Sequence, residues 1–354
     1  MRTSANRGAR VGVVMGGWSG EHEVSLKTGN AVADALARRG HDVVRVVVPK
    51  GSVGTARGLD FLNALVRARI DVAFLALHGR MGEDGCVQGM LEIAGIPYTG
   101  SSVMASALAM DKQKSKELFL LHNVPTPPYY TVSVDEDLAD IEALHRHFGF
   151  PAIVKPRGEG SSLGVAKVGS LFELARALET VFELDDHAIV ERYIEAAEVN
   201  VAVLEGRALG AIEICPKGGG LYDYHAKYTP GATEYHMPAR LPAARYQNVL
   251  NLALSAVDAL GISGAARVDL LVTRGENEYV LEVNTLPGMT ETSLLPKIAR
   301  HAGYPFEDLC ETILAGAKLH VPAMHGAGPV RRSGTVLKAA TSIAPMPEVE
   351  LEAV

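Results

Sequence analysis

The stretch 265–292, AARVDLLVTRGENEYVLEVNTLPGMTET, places three oxygen-bearing side chains on one predicted hairpin. Residues 268–273 and 279–284 form its strands, and RGENE forms the turn. Because side chains alternate along a strand, Glu282 and Asn284 point to the same side, and Asp269 faces them if the register allows. Mg²⁺ takes one or two carboxylates and completes its shell with water and substrate phosphates. The stretch therefore predicts a magnesium site.

A second chemical signal lies in residues 150–164, FPAIVKPRGEGSSLG. The short strand AIVK ends at Lys155, and a loop rich in glycine follows before a returning strand over 165–168. Glycines permit tight turns and expose backbone N–H groups to a phosphate, and Lys155 adds a point charge. The segment lacks the spacing of a P-loop, so it predicts a hairpin with a phosphate-covering tip.

The next segments predict a pocket for a base and a sugar. Residues 188–193, AIVERY, form a short strand that can bond an adenine edge, with Glu191 and Tyr193 beside the base. Glu198 can accept from ribose hydroxyls. Residues 217–238 form a long polar loop, and loops of this length in compact domains are usually lids or binding loops.

The N-terminal part predicts a doubly wound α/β domain. A strand over 11–15 runs into a glycine turn, a helix over 21–39 ends at Gly40, and a second strand covers 43–48. The glycine turn lacks dinucleotide-binding spacing. Glu21 at the helix start is either a partner of the helix dipole or a ligand for an amine.

Further along, a strand over 72–77 precedes a loop over 78–89 that contains His78, Arg80, Glu83 and Asp84. Loops at strand ends are where α/β sheets bind ligands, although a solvated polar loop is equally compatible with the spacing. One helix is predicted over 102–121, and a proline-rich entry to a second domain over 124–130. Later helices are predicted over 171–183, 243–260, 291–302 and 306–319, with strands over 199–204 and 208–214.

Composition limits the classes of function. The chain has 354 residues, enough for two or three domains, and 47% of them are hydrophobic. A net charge of −7 argues against nucleic acid as a partner. Three separated cysteines fit a reducing cytoplasm, and neither a signal peptide nor a membrane span is expected. Residues from 321 onward are rich in Pro, Ala and Gly, and we expect a flexible tail.

Four stretches in order carry a family resemblance: GGWSGEHEVS, ALHGRMGEDGCVQGMLEIAGIPYTGSSVMASALAMDK, VKPRGEGSSLG with YDYHAKY, and RVDLLV with LEVNTLPGMT. Together they resemble the D-alanine–D-alanine ligases of bacterial cell-wall synthesis, over about residues 10–318. The resemblance implies an ATP-grasp fold with an N-terminal Rossmann-like domain. It implies that ATP phosphorylates the carboxylate of one D-alanine and that the amine of a second attacks the acyl phosphate.

The resemblance also implies site roles. Lys112, Lys155 and Lys227 match the family's ATP-contacting lysines. Two Mg²⁺ ions, or Mn²⁺ in their place, are held by Asp269, Glu282 and Asn284 and bridge the β- and γ-phosphates. The adenosine is expected beside residues from both halves of the ATP-grasp fold: Glu191, Tyr193, Ile194, Glu198 and Leu271.

Both D-alanine sites follow from the same resemblance. Glu21 matches the ligand of the first ammonium, with His78 in the same pocket, and Ser161 and Tyr228 complete a hydrogen-bonded set with Glu21. Arg267 and the Gly288 N–H match the donors to the transition state. The second carboxylate is expected at the start of a helix, at Ser293 and the N–H of Leu294.

The implied domains are a substrate-binding α/β domain over 1–105, ATP-grasp subdomains over 106–195 and 196–320, and the tail over 321–354, with 217–238 as a lid and a homodimer as the assembly. Arg157 and Arg192 depart from the family pattern without touching the main roles. A ligase that uses D-lactate or D-serine remains an alternative, although Tyr228 favours D-alanine. A non-catalytic nucleotide-binding protein is the other alternative, and it would need neither Arg267 nor the metal ligands.

Overall fold

The computed structural model describes residues 8–50, 57–218, 222, 229 and 231–321. The described strands, in chain order, are β1 (Arg10–Gly16), β2 (Asp42–Val48), β3 (Val72–Leu75), β4 (Tyr129–Ser133), β5 (Ala152–Pro156), β6 (Ala166–Val168), β7 (His187–Arg192), β8 (Ala196–Leu204), β9 (Arg207–Pro216), β10 (Thr233–His236), β11 (Ala265–Thr273) and β12 (Glu278–Asn284). The described helices are α1 (His22–Arg38), α2 (Arg57–Ala68), α3 (Cys86–Ala94), α4 (Val103–Met110), α5 (Lys112–Leu121), α6 (Leu138–His145), α7 (Leu171–Phe182), α8 (Ala243–Leu260), α9 (Leu294–His301) and α10 (Phe306–Ala315).

The N-terminal sheet is parallel, with strand order β2-β1-β3. Every residue of β1 after Arg10 is buried, as expected of a parallel strand covered on both faces. Gly16 follows at φ 91°, where a Cβ would collide with the carbonyl oxygen of Val48. The predicted β-turn-α-β opening is therefore confirmed, and the glycine turn places the start of α1 at the carboxyl edge of the sheet.

The central sheet is antiparallel in the order β4-β7-β5-β6. Its inner face packs on α7, whose buried side chains Leu174 and Leu178 belong to one hydrophobic core with Val154 and Val190. The predicted hairpin of β5 and β6 is present, and Val154 pairs with Ala166. Lys155 lies near the end of β5, and the glycines lie in the loop that joins β5 to the edge strand β6.

The C-terminal sheet has the antiparallel order β10-β9-β8-β11-β12. Its two faces have different neighbours, because side chains alternate along each strand. Val199 and Val201 belong to the core under α8, whereas Ala202 and Ile212 belong to the core shared with α9 and the N-terminal sheet. Asp269 lies on the face that carries Ala202 and Ile212, which is the face toward the N-terminal domain.

Several sequence predictions differ from the structure. The single helix predicted over 102–121 is wrong: α4 ends at Met110, and Asp111 caps α5 by accepting from the Lys114 N–H. The predicted loop over 78–89 already contains the start of α3, and the proline-rich entry to the second domain leads directly into β4. The loop over 217–238 includes β10, which pairs with β9. Helices α4 and α5 pack on the α8 side of the C-terminal sheet.

In the described ranges, no helix is both long and apolar enough to cross a membrane. Cys86, Cys215 and Cys310 are all free. The predicted tail lies outside the described residues from 322 onward.

Candidate active site

Two cavities meet at the C-terminal sheet. The inter-sheet cavity, of about 140 Å³, lies between the central and C-terminal sheets. The loop cavity, of about 130 Å³, lies between loops of the N-terminal domain and the segment that follows β12. Gly160, Tyr222 and Glu282 line both cavities. A group bound in one can therefore react with a group bound in the other beside Glu282.

The predicted oxygen cluster lies where the cavities join. Asp269 pairs directly with Glu282 across β11 and β12, and Arg267 pairs with Asn284, so all four side chains share one face. The Arg267 guanidinium binds Asp269 at 2.7 and 2.9 Å, and Asn284 Nδ2 lies 3.4 Å from Asp269 Oδ2. A register shift after Asp269 makes both Leu281 and Glu282 face the inter-sheet cavity.

The chemistry of these donors fits Mg²⁺. Two carboxylates and an amide oxygen are hard ligands, and they leave positions for phosphate oxygens and water. Within the described ranges, no group of three or more His, Cys, Asp and Glu side chains is placed to hold a metal ion. A cation here would thus depend on Asn284 and on a bound phosphate, which is the usual arrangement for magnesium and a nucleotide.

Two predicted lysines lie on the wall of the inter-sheet cavity. Lys112 Nζ donates to the carbonyl oxygen of Glu159 and lies 3.9 Å from Glu282 Oε2. Burial lowers the pKa of Lys112, against the opposing charge of Glu282. Lys155 Nζ lies 2.7 Å from Glu191 Oε1. The third predicted lysine, Lys227, lies outside the described residues.

The residues predicted for the adenosine also line the inter-sheet cavity: Glu191, Tyr193, Ile194, Glu198 and Leu271. Glu198 and Leu271 are direct cross-strand partners on β8 and β11. Lys167 Nζ lies 3.5 Å from the centre of the Tyr193 ring. This cation–π contact holds the Tyr193 side chain at the cavity wall. Glu191 is only 2% exposed and also binds Lys116, a residue that the sequence analysis did not select.

The loop cavity contains the described residues predicted for catalysis and D-alanine binding: Glu21, His78, Ser161, Arg267, Gly288, Ser293 and Leu294. Ser161 Oγ donates to Glu21 Oε1, which connects the glycine loop to the start of α1. Tyr228, the third member of the predicted set, lies outside the described residues.

His78 is held by two contacts. Its Nδ1 lies 3.4 Å from Glu83 Oε1, and its Nε2 lies 3.2 Å from Thr28 Oγ1. Although burial alone lowers the pKa of His78, the hydrogen bond and charge of Glu83 raise it above 6.5. Burial raises the pKa of Glu83, against the opposing effect of His78. An ion pair between the two side chains therefore requires both protonation of His78 and ionisation of Glu83.

This ion pair predicts a pH dependence of stability. Because the folded-state pKa of His78 is raised, its contribution is complete below about pH 6.5 and is lost as the pH rises through the folded pKa. We expect the Tm of the unaltered protein to fall more between about pH 6 and about pH 9 than that of Glu83→Gln. Glu23→Gln, an exposed change on α1, is the control and should keep the native slope. Equal slopes in all three proteins would contradict the ion pair.

The far wall of the loop cavity is the start of α9. Ser293 is its N-cap residue, and Ser293 Oγ accepts from the Thr290 N–H at 3.0 Å. The first N–H groups of a helix have no partner within the helix, so they are donors for an anion. A side chain at Gly288 would place a Cβ 2.8 Å from Ser293 Oγ. Glycine at this position therefore keeps the turn close to the helix start.

The structure adds further residues to the site. Tyr222 lines both cavities, and its hydroxyl lies 3.0 Å from that of Tyr235. Arg80 forms ion pairs with Glu159 and Asp185 and so connects the N-terminal domain to the glycine loop. The richness of the 217–238 segment in tyrosine was a signal for Tyr222. The sequence analysis already named Arg80 in the loop over 78–89, but its partners are distant in the chain and were not predicted.

Comparison with known proteins shows which family the chain resembles. Models described as the N-terminus and the C-terminus of D-ala D-ala ligase match residues 10–101 and 118–315. The chain is 51% identical over 312 residues to a protein of Geotalea uraniireducens named D-alanine–D-alanine ligase, covering 88% of this chain and 96% of the relative. The chain belongs to the D-alanine–D-alanine ligase family.

Solved structures of the family agree with the fold. The ligase of Bacillus anthracis complexed with ATP has a TM-score of 0.74 and 36% identity, covering 87% of this chain and 97% of that one. A D-Ala:D-Ser ligase from Enterococcus faecalis has a TM-score of 0.74 and 30% identity, covering 86% of this chain and 98% of that one. The predicted ATP-grasp fold is confirmed, and ATP and Mg²⁺ are the usual requirements of such ligases.

Proposed function

We propose that this chain joins two D-alanine molecules into D-alanyl-D-alanine and converts ATP to ADP and phosphate. The observation that carries the proposal is the meeting of the two cavities at Glu282. A nucleotide in the inter-sheet cavity has its terminal phosphate at this junction, and an amino acid in the loop cavity has its carboxylate there. This is the arrangement that phosphoryl transfer between the two requires.

In the first step, a carboxylate oxygen of the first D-alanine attacks the γ-phosphorus, and the bond to the β-phosphate oxygen breaks. Lys112, Lys155 and Lys227 neutralise the phosphate charges, and Mg²⁺, when bound, would add stabilisation for the charge on the transferred group. Asp269, Glu282 and Asn284 are the residues that would hold the metal. We propose two ions per site, with Mn²⁺ able to replace Mg²⁺.

The first D-alanine is oriented by its ammonium. The Glu21 carboxylate binds that ammonium, and Ser161 and Tyr228 hold Glu21 in place. Support for this role comes from the hydrogen bond between Ser161 and Glu21 and from the position of both on the wall of the loop cavity. His78 and its partner Glu83 close the same side of the cavity.

In the second step, the neutral amine of the second D-alanine attacks the acyl carbon and forms the C–N bond. Phosphate then leaves with the electron pair of the single bond that joined its oxygen to the acyl carbon, and the nitrogen releases a proton to solvent. Arg267 and the Gly288 N–H donate to the oxyanion of the tetrahedral intermediate. Ser293 and the N–H of Leu294 bind the second carboxylate at the start of α9. The adenosine lies on Tyr193, Ile194 and Leu271, with Glu191 at the amino group and Glu198 at the ribose.

A substrate panel tests the proposal. Purified protein with Mg-ATP is given D-alanine, D-serine, D-lactate or L-alanine, and released ADP is measured while the product is identified by mass spectrometry. D-alanine alone should release one ADP for each D-alanyl-D-alanine formed, and L-alanine should release none. Absence of ADP release with every substrate would instead support a non-catalytic nucleotide-binding protein.

A competition defines the second substrate. With D-alanine and D-lactate in equal supply, we expect D-alanyl-D-alanine as the main product at both about pH 6 and about pH 8, because a neutral Tyr228 tolerates the ammonium of the incoming amino acid. The measurement is the ratio of dipeptide to depsipeptide by mass spectrometry. A depsipeptide that dominates at the lower pH would mean that a cation such as His225 or His236 reaches the second subsite.

The remaining proposals concern the setting of the reaction. We propose that the enzyme acts in the cytoplasm, in the synthesis of peptidoglycan precursors, and as a homodimer. We also propose the domain limits 1–105, 106–195 and 196–320, with 217–238 as the lid; Lys227 and Tyr228 belong to this lid.

A further inference from the structure

Lys116 is a buried charge that the proposed mechanism does not use. Its side chain is 0% exposed and lies behind the inter-sheet cavity. Its Nζ lies 2.7 Å from Glu191 Oε1 and donates to Thr126 Oγ1 at 2.6 Å. Thr126 in turn donates to the carbonyl oxygen of Val280 at 2.8 Å. Lys116 is therefore fixed between α5, β7 and β12.

Glu191 has a second cationic partner. Lys155 Nζ lies 2.7 Å from the same oxygen, Oε1, that Lys116 contacts. Lys155 lies on the cavity wall, where a nucleotide phosphate can reach it, whereas Lys116 is fully buried and does not line the cavity. The two lysines share one carboxylate but differ in what else they can bind.

This difference decides which of the two lysines can move away from the Glu191 carboxylate. A buried carboxylate without a counter-ion is strongly destabilising, so Glu191 must keep at least one cation. If Lys155 turns to a phosphate, Lys116 remains beside Glu191. Burial lowers the pKa of Lys116 to about 8, against the opposing charge of Glu191, so the ammonium still predominates at neutral pH. The Tyr129 ring, Lys155 and Glu282 are the other groups that face it.

We propose that Lys116 is a positioning residue: it is the fixed counter-ion of Glu191, and it thereby allows Lys155 to bind the nucleotide phosphates. The proposal rests on the nucleotide site of the proposed function. Without Lys116, Lys155 is the one lysine of the described ranges that still contacts Glu191, and Glu191 competes with the phosphates for it.

The test compares ADP with adenosine by calorimetry in Lys116→Met. We expect the affinity for ADP to fall about tenfold or more, the size of one hydrogen bond between charged groups, and that for adenosine to change less than about threefold. Lys114→Met, an exposed change on the same helix, should bind both ligands normally. If the unaltered protein binds no ADP, the nucleotide site itself is wrong.

A double-mutant cycle separates this role from a merely structural one. In the Glu191→Gln background the competing charge is gone, so adding Lys116→Met should leave the affinity for ADP within about threefold of Glu191→Gln alone. This comparison remains available if Lys116→Met alone does not fold, since the double variant leaves no unpaired carboxylate. An equal loss of ADP affinity in both backgrounds, or an equal loss for adenosine, would overturn the proposal.

Discussion

Glu282→Gln is expected to lower the turnover of D-alanine by about 100-fold or more, because a loss of charge at a phosphoryl-transfer site removes stabilisation that acts mainly in the transition state. Glu282 faces Asp269 across the hairpin, lies 3.9 Å from Lys112 Nζ and lines both cavities. Its side chain is partly exposed to the cavities, so the change should leave the fold nearly intact. ADP release gives the turnover, and Tm checks the fold.

The control for this variant is Glu276→Gln, in the exposed turn of the same hairpin. It changes the same charge on the same element without touching either cavity. Turnover by Glu276→Gln should equal that of the unaltered protein. If Glu282→Gln also remains within about threefold of it, the assignment of Glu282 as a metal ligand is wrong.

Arg267→Lys is expected to lower kcat by about 100-fold or more, although it keeps the positive charge, since a lysine cannot reproduce the fixed fork of the guanidinium. Arg267 binds both oxygens of Asp269 and also lines the loop cavity. Burial alone would lower the pKa of Arg267, but the charge of Asp269 outweighs this effect, and the net pKa is raised. The guanidinium therefore stays protonated throughout the reaction. Single-turnover and steady-state assays measure the effect.

Binding measurements distinguish two possible roles of Arg267: donation to the transition state and positioning of Asp269. A role at the transition state predicts that Arg267→Lys binds ADP almost normally while kcat falls. A loss of ADP affinity that matches the loss of kcat would show instead that Arg267 acts by arranging Asp269. Arg274→Lys, in the exposed turn, should change neither quantity.

The hairpin shows what local patterns predict well. Alternation of polar and apolar residues in β11 and β12 predicted which side chains share a face, and the register puts Asp269 opposite Glu282. The register shift after Asp269 was not predictable, because it arises from the pairing of two strands rather than from either sequence. It adds Leu281 to the inter-sheet cavity.

The break between α4 and α5 shows where local patterns fail. Residues 102–121 contain neither glycine nor proline, so their sequence favours one helix. The interruption is supported by a distant segment: Arg157 binds both oxygens of Asp111, and its carbonyl oxygen accepts from the Lys112 N–H at 3.1 Å. The same break aims Lys112 into the inter-sheet cavity.

The buried contact between Lys116 and Glu191 could not be predicted from the sequence for a related reason. Lys116 and Glu191 are far apart in the chain, and each sits in a segment that reads as an ordinary helix or strand. Only the structure shows that the Lys116 side chain on α5 reaches the Glu191 carboxylate on β7. The family resemblance predicted residues for contacts with the ligands, whereas the contacts of Lys116 required the structure.

The most direct test of the central claim follows oxygen from substrate to product. D-alanine labelled with oxygen-18 in its carboxylate is converted with Mg-ATP, and the released phosphate is analysed by mass spectrometry. Formation of an acyl phosphate transfers one labelled oxygen to inorganic phosphate for each dipeptide formed, with ADP as the nucleotide product. Unlabelled phosphate, or label recovered in AMP, would contradict the proposed reaction.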